Sequence, residues 1–138
     1  MARPSGEKTR AGGRWTEARF SQFIISLLRS GTRRWAPISD CLKEARTKRG
    51  FYLCAGCKQE VPASIVIDGK RKKNAIVDHI EPIVDPEVGF TTYDDMVERM
   101  FCETENLQVL CHECHTIKTN QERETAKLRR RKEKENNE

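Results

Sequence analysis

Four of the six cysteines in this 138-residue chain stand as two pairs, Cys54-Ala55-Gly56-Cys57 and Cys111-His112-Glu113-Cys114. A C-x-x-C turn brings two thiolates to one ion, and two such turns complete a tetrahedral sulfur set suited to Zn²⁺. Four sulfurs leave no position open for water. The zinc expected here is therefore structural, and it lends stability that a small polar domain does not obtain from burial alone. More chain separates the pairs than in a simple zinc ribbon, so the clip closes around an inserted module and holds its ends. A redox C-x-x-C, or unrelated buried thiols, is the competing reading. Cys41 and Cys102 have no C-x-x-C partner, and Cys41 reads as a packing residue.

Three further segments carry reactive side chains: Val77-Asp78-His79-Ile80, Asn106-Leu107-Gln108-Val109-Leu110 and Cys114-His115-Thr116-Ile117-Lys118. An isolated Asp-His step or a lone Asn is usually incidental, but together and bracketed by the cysteine pairs they are far more specific. In order and approximate spacing they resemble the HNH nucleases, in particular the zinc-containing ββα-metal members, over roughly residues 51–121. With the helices that precede this stretch and the insertion 82–106, the chain is similar to the small HNH endonucleases of bacteriophages, some of them homing enzymes. The resemblance implies cleavage of double-stranded DNA with a catalytic Mg²⁺ or Mn²⁺. It also implies a phage setting, either homing or genome packaging, with phage packaging proteins as candidate partners. From it comes the expectation that the Asn106 amide ties two strands together and holds the His79 backbone.

The chemistry follows from the residues as well. Hydrolysis of a phosphodiester needs an activated water, stabilisation of charge on the phosphoryl oxygens and help for the departing alkoxide. One imidazole and one hard divalent cation cover all three. His79 is suited to take a proton from water near neutral pH. Asp78 offers a hard oxygen ligand and His115 completes a two-residue metal site, with water and phosphate filling the rest. Lys118, one turn after His115, is expected to approach the scissile or a neighbouring phosphate. His112 reads as a solvent-facing spacer and Glu81 as an exposed carboxylate.

These side chains need elements to place them. Thr16 caps a helix on which Phe20, Phe23, Ile24, Leu27 and Leu28 recur at helical spacing, with Gly31 as its stop. A second helix starts near Pro37, aligns Ile38, Cys41, Leu42 and Ala45, and ends at Gly50. The apolar faces are expected to be core. Arg29, Arg33, Arg34, Arg46, Lys48 and Arg49 lie on the outer faces and ends, and form a candidate platform for the DNA backbone. Strands are expected over 64–68 and 75–77, with a turn at 69–73. Pro82 and Pro86 keep 81–88 a loop, Thr92 to Asp95 has the form of a capping box, and helix resumes from His115. The expected organisation is α+β: a flexible basic arm 1–14, a basic helical platform 15–50, a zinc-stapled ββα-metal module 51–121 and a charged tail 122–138 that is a frayed helix or disordered.

Charge supports a polyanionic partner. Residues 1–50 carry 12 Lys and Arg against 4 Asp and Glu, while 51–138 carry 14 against 17, so the basic surplus behind the net charge of +5 is N-terminal. Mean hydropathy is −0.76. No apolar run is long enough to cross a bilayer and the first residues lack a signal-peptide core, so no membrane partner is expected. The expected setting is a reducing cytoplasm, that of the host for a phage protein, with the chain acting as a monomer. A zinc-dependent DNA-binding module without cleavage is the alternative function.

Overall fold

The computed structural model describes residues 6–137. They belong to two compact units, Met1–Arg34 and Trp35–Glu138.

In the first unit β1 (Lys8–Arg10) pairs antiparallel with β2 (Trp15–Thr16), and α1 (Glu17–Gly31) follows. The hairpin turns through Ala11, Gly12 and Gly13, all with positive φ, a path that glycine permits cheaply. Thr16 accepts a hydrogen bond from the Arg19 amide and so caps α1 as its residue type predicts. Glu17 in the first turn accepts from Thr9 and Arg10 at 2.6 and 3.0 Å, which staples the hairpin to the helix. This corrects the flexible-arm reading for residues 8–14; residues 1–5 lie outside the described residues. The core reading of the α1 stripe is corrected too. Trp15 packs edge-on against Phe23, yet Phe23 and Leu27 remain 44% and 54% exposed and no residue of α1 is buried. Within this unit, one helix and a two-stranded ribbon supply no second layer for that stripe.

The second unit starts with α2 (Ala36–Ala45), where Pro37 occupies the first turn and Cys41 is buried. The helix stops at Ala45, short of Gly50, because the next residues pair as strand. β3 (Arg46–Lys48) turns through Gly50, with φ of 80°, into β4 (Phe51–Leu53), which also pairs with β5 (Glu60–Pro62). The expected platform 15–50 is therefore divided between two units, and Arg46 and Lys48 are strand residues. A tight hairpin joins β6 (Ser64–Ile67) to β7 (Lys70–Lys73), where a turn was expected. Then come β8 (Ile76–His79), a proline-punctuated loop, α3 (Tyr93–Met100), β9 (Leu107–Leu110) and α4 (His112–Asn136).

β8 and β9 pair antiparallel, with Asp78 opposite Gln108 and His79 opposite Leu107. Cys41, Ala75, Leu107 and Val109 form one buried cluster, against which Ile38, Leu42 and Tyr52 pack. Thr92 caps α3 through the Asp95 amide, and α3 buries Met96 and Met100 completely. The tail reading is corrected: α4 runs without interruption to Asn136. Its charges sit at helical spacing, pairing Lys118 with Glu122 and Arg129 with Glu133, and Arg129 also donates to the Pro86 carbonyl at 3.1 Å. The chain is thus a mixed α and β protein with four cysteines gathered in its second unit. Among the described residues no helix is long and apolar enough to cross a membrane.

Candidate active site and metal centre

The sulfurs of Cys54, Cys57, Cys111 and Cys114 all lie within 4.8 Å of one another. A tetrahedral zinc with bonds of about 2.3 Å holds its sulfurs about 3.8 Å apart, so a small contraction closes the set. Backbone amides already point at the sulfurs: the Cys111 N–H donates to Cys54 Sγ at 3.2 Å and the Cys114 N–H to Cys111 Sγ at 3.5 Å. Gly56 eases the approach, because a Cβ there would stand 3.1 Å from Cys114 Sγ and 3.3 Å from Leu110 Cδ2 and these side chains would have to give by a few tenths of an ångström. Burial opposes ionisation of Cys54, but amide donors from Cys111, Cys57 and Gly56 bring its thiol down to about 6. Cys114 is pushed up to about 12, chiefly by its hydrogen bond to Cys111 and then by burial. Four thiols this close cannot all ionise without a cation to share. The donor set fits a metal ion such as zinc, held between the β4–β5 turn and the start of α4.

α4 also packs beside β8. Asp78, at the third position of β8, has a side chain only 11% exposed. Its Oδ2 accepts from Gln108 Nε2 and from Lys118 Nζ, each at 3.0 Å. Its Oδ1 stands 3.9 Å from His115 Nε2 on the first turns of α4. Two ligands of one hard cation with bonds of about 2.1 Å are about 3.0 Å apart when adjacent and about 4.2 Å when opposite. Asp78 Oδ1 and His115 Nε2 therefore span a distance that one cation can bridge, and the other carboxylate oxygen is held away from it.

His79 ends β8. Its Nε2 lies 2.9 Å from the Met100 carbonyl, an acceptor only, so that nitrogen carries a proton, and in the neutral imidazole the lone pair is on Nδ1. The loop after His79 is held by Asn106: the Glu81 amide donates to Asn106 Oδ1 at 2.8 Å, and Asn106 Nδ2 donates to the Glu81 carbonyl at 3.3 Å. The Ile80 amide also donates to the Asn106 carbonyl at 2.8 Å. The amide of Asn106 thus clamps the chain two residues beyond His79 and does not touch His79 itself.

Lys118 differs from its expectation. Its ammonium is engaged by the His79 carbonyl at 2.9 Å, Glu122 at 2.7 Å and Asp78 at 3.0 Å, so its bonds go to protein acceptors, while the side chain stays 24% exposed. Burial works against its charge, but the bonds to Glu122 and Asp78 outweigh that and raise its pKa above the ordinary lysine value. One turn along α4 from His115, its four-carbon stem brings the ammonium onto the end of β8, where acceptors converge.

The remaining candidates are on the surface. Arg29, Arg33 and Arg34 are exposed at the end of α1 and in the turn after it, and Arg46, Lys48 and Arg49 are exposed around the β3–β4 turn. Lys48 is partly spoken for, 3.3 Å from Glu60 and 4.7 Å from the Phe51 ring centroid. Glu81 is exposed, and His112 is half-buried with its amide donating to Asn74.

Four participants escaped the sequence reading. Gln108 and Glu122 brace Asp78 and Lys118, the Met100 carbonyl sets the His79 tautomer, and buried Asn74 joins Pro62 to the first amide of α4 at 2.9 Å on each side. Only Gln108 had a signal, its alternation with Asn106 on a strand, and that signal needs the register to be read. No protein-family model, curated protein or solved structure matches this chain.

Proposed function

We propose that the chain is a metal-dependent endonuclease of the HNH, ββα-metal type that hydrolyses phosphodiester bonds in double-stranded DNA. The observation that carries this reading is the meeting of Asp78 Oδ1 with His115 Nε2 at 3.9 Å, next along β8 to His79, whose Nε2 is committed to the Met100 carbonyl so that in the neutral imidazole Nδ1 holds the lone pair. Such a nitrogen can take a proton from a water molecule poised for attack on phosphorus. Asp78 and His115 would hold Mg²⁺ or Mn²⁺, which when bound stabilises the charge that develops on the phosphoryl oxygens. Gln108 and Lys118 keep Asp78 Oδ1 turned toward His115. Asn106 keeps the backbone after His79 from swinging away, and Lys118 grips the His79 carbonyl, so both act as positioning residues. The order strand, strand, helix and the four-cysteine clip support the ββα-metal assignment. A phage setting, action in the host cytoplasm and a monomer making one cut per encounter belong to the same proposal and rest on the motif resemblance.

One observation favours a second reading. The Lys118 ammonium already balances Asp78, as it would in a zinc-dependent DNA-binding module that needs no second cation. Supercoiled plasmid incubated with the zinc-loaded protein and added Mg²⁺ or Mn²⁺ separates the two. Conversion to nicked or linear DNA that depends on the added metal supports the nuclease; binding without cleavage under every metal condition supports the module.

A further inference from the structure

The β6–β7 hairpin carries a strongly charged edge that the site described above does not use. Lys70, Arg71, Lys72 and Lys73 fill β7 and are all exposed. None of the four is paired with a carboxylate among the described residues, and the only bond to any of their side chains is from Arg71 to the Ser64 hydroxyl at 3.1 Å. β7 pairs with β6 alone, so its other edge is open. Successive side chains on a strand point to opposite faces. Lys70 and Lys72 therefore extend from one face of the ribbon, and Arg71 and Lys73 from the other.

Lysines often guard an open strand edge against aggregation. One or two suffice for that, and four adjacent unneutralised cations repel one another unless a polyanion lies between or along them. The ribbon is also held in a definite direction. At its base the Asn74 and Ala75 amides both donate to the Ala63 carbonyl, at 2.9 and 3.2 Å. The buried Asn74 side chain donates to Pro62 and accepts from the first amide of α4. A loose charged loop would need neither anchor. The strand that leaves this junction is β8, and Lys73 precedes Asp78 by five residues, at most about 17 Å of extended chain. That is half a turn of B-DNA, whose pitch is about 34 Å.

We propose that the β6–β7 ribbon is a DNA-gripping arm. The β7 edge enters a groove of the duplex, Lys70 and Lys72 contact phosphates on one wall, and Arg71 and Lys73 contact phosphates on the other. The major groove is about 12 Å wide and admits a two-stranded ribbon, whereas the deep, narrow major groove of an RNA duplex does not. Same-face residues two apart on a strand are about 7 Å apart, matching two base-pair steps. The identification of the polyanion as DNA rests on the nuclease reading; the arm itself rests on its charge and anchoring.

The test replaces Lys70, Arg71, Lys72 and Lys73 with Thr, which keeps strand propensity, in the full zinc-loaded chain. A milder Lys70→Gln, Lys72→Gln variant serves as a second probe. Binding of a labelled duplex of about 20 base pairs is measured by anisotropy as a function of salt, with plasmid nicking followed in parallel. Each lost phosphate contact removes about 0.9 from the slope of log affinity against log salt. The expected result is a slope lower by about 3 to 4 for the fourfold variant and about 2 for the double variant, with zinc content and melting temperature unchanged. Wild-type slope and affinity in both variants overturn the arm. Equal binding of an RNA duplex, with the same dependence on the four residues, overturns the groove assignment. A lowered slope with no nicking by either protein keeps the arm and removes the nuclease, and failure of the wild type to bind duplex DNA removes both.

Discussion

Replacing His79 with Ala separates catalysis from scaffold, because the two contributions of this side chain differ in size. In the folded protein the ring makes one hydrogen bond, from Nε2 to the Met100 carbonyl at 2.9 Å, and it is no ligand of the cysteine cluster. Loss of that bond leaves the carbonyl of buried Met100 without this donor and costs about 1 to 3 kcal/mol of stability, several degrees of melting temperature for a chain of this size. Loss of a general base slows the chemical step by roughly two to four orders of magnitude, about 2.7 to 5.4 kcal/mol of barrier. The expected outcome of His79→Ala is thus a folded protein with full zinc content and near wild-type DNA affinity, whose metal-dependent plasmid nicking has fallen at least about a hundredfold. The assays are zinc stoichiometry, thermal unfolding, duplex binding and single-turnover nicking on one preparation. Nicking within a few-fold of wild type would refute the assignment of the base. So would a loss of activity that follows a loss of folded protein, because the residue would then be structural.

Three other substitutions test the remaining parts. Cys111→Ala removes one sulfur from the four and, in addition, the acceptor of the Cys114 amide; zinc content and melting temperature should both fall, and retention of both disproves the clip. Asp78→Ala should abolish nicking through the cation site, so raised Mn²⁺ restores part of the rate while leaving His79→Ala inactive; equal rescue of the two variants defeats that division of roles. Exchange of Arg33 and Arg34 together for Gln should lower the salt slope of duplex binding by about 2 without sequence preference, and an unchanged slope places the phosphate contacts elsewhere.

The four-cysteine cluster was legible in the sequence because a C-x-x-C turn is a local device. Its two sulfurs are brought together by four residues, and only the meeting of the two turns is a tertiary event. Thr16 and Thr92 were legible for the same reason, since a cap is made with an amide three residues away. The ends of α2 and α4 were not. Nothing within one turn of Ala45 forbids helix; the helix stops because Arg46–Lys48 finds a strand partner in β4, several residues on. The stretch after Glu122 reads as too polar to hold itself together, yet contacts such as Arg129 to Pro86, 43 residues back along the chain, hold it.

The same division runs through the candidate site. Residue type and order named Asp78, His79, His115 and Lys118 as candidate side chains, and Asn106 came from the motif resemblance. They did not say which atom faces which. Only the β8–β9 register brings Gln108 onto Asp78, and only the packing of α3 delivers the Met100 carbonyl that decides which nitrogen of His79 carries its proton. Lys118 shows the limit most plainly. Its spacing from His115 placed it on the right face of α4, but whether a long cationic side chain reaches outward to phosphate or inward to three protein acceptors depends on where those acceptors lie. Side-chain identity and helical or strand period are properties of a few neighbouring residues. Hydrogen-bond partners tens of residues apart are set by the fold, and for that reason candidate side chains could be named from the sequence while their arrangement could not.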